Sequence, residues 1–268
     1  MNGKSRAVLV GANDGNLYVT KFPNGSERPN ALLNEIAGHE IYRLVGLPVP
    51  VWNYLSISSR LINGNRDCWF SSDDRLATHS CICFGSRFIA RPPKRVYEIL
   101  PGSMFRYVCN REHFWLSWIV DVLSRQCNCR QALFVEDMDS QLRTVFIDHS
   151  ELFGGHDGSE IPSHTQAQYF DPRIYLSPNA GMKRRLCDRL RSFESDAVWR
   201  RLLFLPDEWK TSSAMRAVRD GLNRLSDFEL ARSICDELID SFRIPSSGRS
   251  AKSPVPEHMT IPVAAFTH

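Results

Sequence analysis

The stretch "LYVTKF" (residues 17–22), followed by "NALLNEIAGHEIYRLVGLPVP" (residues 30–50), puts a charge where the packing leaves little room for one. Alternation along an extended strand sends Tyr18 and Thr20 to one face and Val19 and Lys21 to the other, so an ammonium group shares a face with an apolar side chain. Burying that charge costs several kcal/mol unless a carboxylate pairs with it. In the second segment Leu32, Leu33, Ile36, Ala37, Ile41, Leu44 and Val45 recur at helical spacing, with Glu35 inside the apolar stripe. "GLPVP" ends the helix with a glycine and two prolines. Two arrangements satisfy the physics. Either Lys21 and Glu35 meet as a buried pair, or the lysine snorkels and the glutamate stays in water.

Outward from this strand and helix, the chain shows an ordered series of elements. Residues 7–10 and 17–22 are joined by "GANDGN", whose Asn, Asp and Gly suit a hairpin turn. Residues 51–58 and 80–88 read as further strands, the second ending in a Gly-Ser turn, with a polar loop between them. Residues 112–123 are apolar all round and predict a buried helix. Residues 132–135 and 143–148 form a second hairpin, and beyond Phe193 three helical patterns follow, over residues 194–205, 214–225 and 226–242. The tail from Pro245, rich in Pro and Ser, reads as disordered. The order suggests an α+β chain with a β-rich lobe in front, a helical lobe behind and a cleft between.

Composition narrows the classes. The balance of 33 Lys and Arg against 30 Asp and Glu gives +3, too small to imply a nucleic-acid partner. Lys183, Arg184, Arg185, Arg189 and Arg191 alternate with Leu186 and Leu190, as on the solvated face of an amphipathic helix. The amino-terminal apolar run is too short for a secretory signal, and no span is long enough to cross a membrane, which leads to a cytoplasmic expectation. Eight cysteines in such a chain are expected as reduced thiols. The pairs Cys81/Cys83 and Cys127/Cys129 would each share a face on extended segments, but their spacing is narrower than structural zinc favours, so buried thiols are the preferred reading.

The candidate chemistry lies at three points. A strand lysine followed by a helix glutamate is the order in which kinase sites hold phosphates. Asp148 in "VFIDHS" ends an apolar strand, where a phosphotransferase places a divalent-cation ligand, and where a plain turn cap is equally at home. His149 is expected as a hydrogen-bonded structural neighbour. "RQCNCRQALF" (residues 125–134) follows the buried helix at the place of a kinase catalytic loop, yet it holds no carboxylate.

The segments "DGNLYVTKF", "ALLNEIAGHEIYRLVGLPVP", "CFGSRF", "CRQALFV", "FIDHSELF" and "LPDEW", in this order, resemble the bacterial HipA-like kinase family. The resemblance runs from Val8 to Leu238. It implies a two-lobed protein-kinase-like fold, one domain over residues 1–243 with an N-lobe to about residue 85, then the tail of residues 244–268. It implies that Lys21 touches ATP phosphates, that Glu35 positions the lysine, and that Asp148 with Gln131 holds Mg²⁺. Asn13 and Gly15 would lie in a loop over the phosphates, and Phe84 and Gly85 in a turn beside the base. Where the family reads Asn-x-Asp-x-Arg-Gln, this chain has Gln126, Asn128, Arg130 and Gln131, so Asn128 stands at the catalytic Asp position. Asp121, shared with the family, is expected to support the loop.

Asparagine can hydrogen-bond a hydroxyl but has no anionic oxygen to accept its proton. Three functions follow as expectations: an impaired ATP-dependent kinase acting on a hydroxyl, such as protein Ser or Thr; a nucleotide-binding pseudokinase that regulates a partner; or a structural interaction module with no ligand.

Overall fold

The computed structural model describes residues 7–23, 30–65, 68, 80–90, 94–136, 141–155 and 158–242. The first hairpin forms as its turn residues require: β1 (Val8–Gly11) pairs antiparallel with β2 (Leu17–Lys21), Val8 opposite Thr20 and Gly11 opposite Leu17. β2 continues onto β4 (Cys81–Arg87), and β4 onto β3 (Trp52–Ile57), giving an antiparallel sheet in the order β1-β2-β4-β3. One face carries a small core of Val8, Val10, Tyr18, Leu55, Ile57 and Cys83. Against it pack Cys68 and the partly buried Leu61 and Ile62 of α2 (Ser59–Gly64). That short helix, capped by Ser58, occupies part of what the sequence presents as a polar loop; the remainder of the loop lies largely outside the described residues.

The opposite face meets α1 (Ala31–Leu44), which is buried along nearly its whole length. Gly46, at φ 78°, closes it, with Gly46 N donating to Arg43 O and Leu47 N to Tyr42 O, the paired bonds of a Schellman motif. Gly38 faces the backbone that follows β7 (Leu142–Ile147). A Cβ there would overlap the side chains of His149 and Leu152, so the absence of a side chain is what lets helix and loop approach.

The expected Gly-Ser turn in "FGSR" is instead the interior of β4. Phe84 lies opposite Lys21 on one side and Tyr54 on the other. Gly85 is needed inside the strand because a Cβ would sit 2.5 Å from Leu55 Cδ1. The Leu55 side chain leaning over it from neighbouring β3, and no turn, explains the glycine.

The second sheet is β5 (Arg95–Tyr97), β6 (Gln131–Glu136) and β7, antiparallel in the order β5-β6-β7. Ala132, Phe134, Leu142, Thr144 and Phe146 are buried on one face. Helix α3 (Glu112–Leu123) runs through the main core as expected: Phe114, Trp115, Leu116, Ile119, Val120 and Leu123 are almost inaccessible. At about 1.5–3 kcal/mol for each large apolar side chain fully buried, α3 is a principal anchor of the fold. Four helices complete it: α4 (Ala180–Arg191), α5 (Ser195–Leu203), α6 (Ser212–Ser226) and α7 (Phe228–Ser241). Asn179, Thr211 and Asp227 cap the first turns of α4, α6 and α7.

The basic run is an amphipathic helix, with Met182, Leu186 and Leu190 inward, Lys183 paired with Asp236 and Arg185 with Glu112. The sequence therefore describes a mixed α+β chain correctly, while the proline-rich tail lies outside the described residues. No helix among the described residues is long and apolar enough to cross a membrane.

Candidate functional site

Two carboxylates from separate segments converge on one ammonium group. Lys21, at the end of β2 on the face turned to α1, donates from Nζ to Glu35 Oε2 at 2.9 Å and to Asp148 Oδ1 at 3.0 Å. Glu35 lies in the buried stripe of α1 and also accepts from His149 N at 2.8 Å. Asp148 follows the last residue of β7, and its second oxygen accepts from Gln131 Nε2 at 2.9 Å, at the start of the neighbouring β6. Ser150 Oγ donates back to Asp148 Oδ1 at 2.9 Å. Of the two arrangements open to Lys21 and Glu35, the buried pair is the one that forms.

The electrostatics follow from burial. Desolvation works against the Lys21 charge, but Asp148 and Glu35 outweigh it and lift the ammonium pKa well above its ordinary range. Burial likewise opposes the Glu35 charge, and Lys21 followed by the His39 hydrogen bond outweighs it, holding that carboxyl well below the usual range. Asp148 has φ 58°, a left-handed backbone uncommon outside glycine and more tolerable for Asp than for bulkier residues. Such strain persists only where the surroundings fix it. Here Arg130 Nη1 donates to Ile147 O at 3.0 Å and to Asp148 O at 3.2 Å.

Arg130 is the hub behind the site. Its Nε and Nη2 form a two-pronged bond to Asp121 at 2.8 and 2.7 Å, and both side chains are almost fully buried. Tyr42 OH adds a 2.7 Å bond to Asp121, and Arg130 Nη1 lies 3.2 Å from His149 Nδ1. Asp121 thus supports the loop, as expected. Asn34, beside Glu35, donates from Nδ2 to the carbonyls of Ser150, Leu152 and Gly155, and so fastens α1 to the segment after Asp148. Sequence reasoning missed Asn34 and Ser150. A buried amide inside an otherwise apolar helix stripe was the available signal.

Other sequence-derived residues stand elsewhere. Asn128 is exposed, and its Oδ1 accepts from the following Cys129 N at 2.9 Å. Its loop is held by Cys127 N to Glu151 O, at 2.9 Å, and Gln166 Nε2 to Cys127 O. Asn13 and Gly15 occupy an ordinary hairpin turn, closed by Ala12 N to Asn16 O at 2.9 Å. Asp14 in that turn accepts from Asn16 and Tyr18, and the Asn16 bonds lead in holding its carboxyl down at about 2. The turn is separated from Lys21 by the length of β2, about 13 Å at the usual strand rise, and presents the Asp14 carboxylate. Phe84 is fully buried with its ring against His39 and Trp52, and Gly85 is enclosed by Leu55, so packing rather than contact with a base accounts for both.

Cys81 and Cys83 do share a face, with sulfurs 3.3 Å apart, whereas Cys129 is exposed rather than buried. Among the described residues no group of three or more His, Cys, Asp or Glu is placed to hold a metal ion. A cation that completes its shell with phosphate and water needs fewer protein oxygens. Asp148 Oδ2 and the Gln131 amide beside it are the groups that could supply such oxygens.

His149 provides a pH test. Burial first, then Arg130 and His39, pushes its pKa well below the ordinary value, so it stays neutral in the fold. The unfolded chain then binds the extra proton below about pH 6.5. Stability is expected to fall as pH drops from there, by up to about 1.4 kcal/mol per pH unit for this group. Glu35 adds its own loss only lower, as pH falls below the unfolded carboxylate value of about 4.3 toward its depressed folded one. Urea unfolding at several pH values checks the order; a flat profile between about pH 7 and pH 5 would show that His149 takes up its proton while folded.

No family model, curated protein or solved structure matches the chain.

Proposed function

We propose that this chain is a HipA-like phosphotransferase domain that binds Mg-ATP in the space between its two sheets and transfers the γ-phosphoryl group slowly to a hydroxyl acceptor, a protein Ser or Thr. The observation that carries the reading is the meeting of Lys21, Glu35, Asp148 and Gln131 from four separate segments. In this reading Lys21 releases Asp148 and turns to the phosphates, while Glu35, fixed by His149 N, keeps the ammonium in place. Asp148 and Gln131 would hold Mg²⁺, which when bound neutralises phosphate charge.

The outward face of the second sheet supports a place for the base. Gln131 pairs with Ile147 and Leu133 with Val145, and all four are only partly buried; Leu133, Val145 and Ile147 form an apolar surface that leads up to Gln131 and Asp148.

Asn128 favours a second reading, nucleotide binding without turnover, because its side-chain oxygen is occupied by its own loop and no carboxylate replaces it there. A positioned base contributes about a hundredfold to ten-thousandfold in rate. Asn128→Asp is therefore expected to raise autophosphorylation, or transfer to a generic Ser/Thr protein, by at least tenfold in the presence of Mg-ATP. Detectable transfer in the wild type supports the slow enzyme, and stabilisation by Mg-ATP without transfer supports the second reading. An unchanged rate in Asn128→Asp would remove Asn128 from the position of the base.

A further inference from the structure

Strand β4 presents two thiols on one face. Cys81 and Cys83 are separated by the exposed Ile82, so alternation turns both toward the small core of Val8, Val10, Leu55 and Ile57, and their sulfurs stand 3.3 Å apart in hydrogen-bond contact. Their surroundings differ. Cys83 is fully buried, whereas Cys81, the first residue of β4, is partly exposed. A reagent in solution therefore meets Cys81, and Cys83 is reached through it.

The hydrogen bond sorts the pair further. Donation from the Cys83 thiol lowers the Cys81 pKa, and the same bond together with burial raises that of Cys83. The thiolate is the nucleophile in thiol chemistry, so the accessible sulfur is also the one that ionises first. Cys83 keeps its proton beside it, in the place of a resolving thiol.

The backbone permits a bond between them. At the usual strand rise, α-carbons two residues apart are about 6.8 Å from each other, the upper end of what a disulfide spans. A slight contraction is needed, and the sheet constrains these residues less than it does the rest of β4. The ladder to β2 covers Phe84 to Arg87 and stops short of both cysteines, which pair with Ile57 and Leu55 of β3. A disulfide at the edge of its geometric range is the more easily reduced, so oxidation here is reversible.

We propose that Cys81 and Cys83 form a redox-modification site that reacts with small-molecule disulfides. The Cys81 thiolate attacks one sulfur of the disulfide, which forms a mixed disulfide and releases a thiolate that takes up the proton Cys81 had lost to water. Cys83 then gives up its proton and attacks the Cys81 sulfur, forming the bond between the two cysteines and expelling the second thiol, which carries that proton away. Two cysteine sulfurs are oxidised and one disulfide is reduced to two thiols. The site does not depend on the nucleotide reading.

The test is treatment of the reduced full chain with glutathione disulfide, followed by acid quenching, alkylation of the remaining thiols in denaturant and mass mapping. The expected product is lighter by two hydrogens, has Cys81 and Cys83 both closed to alkylation, and returns to the dithiol with dithiothreitol. Cys83→Ser should stop at the mixed disulfide and retain glutathione on Cys81. Cys81→Ser should leave Cys83 as a free thiol under the same conditions. The wild-type map needs no variant and stands even where a serine variant fails to fold. Cys81 and Cys83 both alkylated after oxidation overturn the proposal, as does a Cys83→Ser protein with no glutathione on Cys81. A bond mapped from Cys83 to Cys68, which is buried in the same core, or between Cys187 and Cys235 of α4 and α7, with Cys81 still free, overturns it as well.

Discussion

Replacing Arg130 with Met is expected to cost about 3–5 kcal/mol of folding stability, the usual penalty for breaking a buried ion pair from one side. The guanidinium is buried, satisfies both oxygens of the equally buried Asp121, and holds the carbonyls of Ile147 and Asp148. Without it, Asp121 keeps only the Tyr42 hydroxyl bond, and burial has already lifted its carboxyl above the ordinary range. The strained turn at Asp148 loses its support in the same step. Adding Asp121→Leu to Arg130→Met should recover much of the loss, because desolvation of an unpaired charge is the main cost. Urea unfolding at neutral pH measures both. A single-variant loss under about 1 kcal/mol would mean that the pair is no more than a surface contact in its energetics.

Lys21→Met tests the front of the site as Arg130→Met tests the back. Removing the ammonium leaves Glu35 buried and Asp148 nearby with no cation between them, so a loss of about 3 kcal/mol is expected at neutral pH. The loss should shrink toward acid pH. Without Lys21 the Glu35 carboxyl loses the largest influence holding its pKa down and protonates more readily, which neutralises the buried charge. Chemical unfolding of wild type and variant across the acid range decides it. A penalty that stays constant as pH falls would show that the ammonium contributes packing and not charge.

The parts of this arrangement visible in the sequence are those with a strong local pattern. Lys21 stands out because alternation puts it beside Val19, Glu35 because it interrupts an apolar stripe, and Asp148 because it ends an apolar strand. Resemblance, and not any pattern of its own, pointed to Gln131. What stayed hidden depends on partners distant in the chain. Asn34 acts on three carbonyls more than a hundred positions away. β5 spans three residues and exists only through its pairing with β6. Gly85 resembles a turn residue until Leu55 is placed against it from the neighbouring strand. The end of α3 lacks the glycine or proline that would mark it, since Arg125 takes the left-handed position itself.

The proposed nucleotide site at Lys21, Glu35 and Asp148 can be checked by titrating Mg-ATP into the wild type and into Asp148→Asn. Saturable, Mg²⁺-dependent heat is expected in the wild type, and at least tenfold weaker binding in the variant. No binding in the wild type, or binding indifferent to both Mg²⁺ and Asp148, would contradict it.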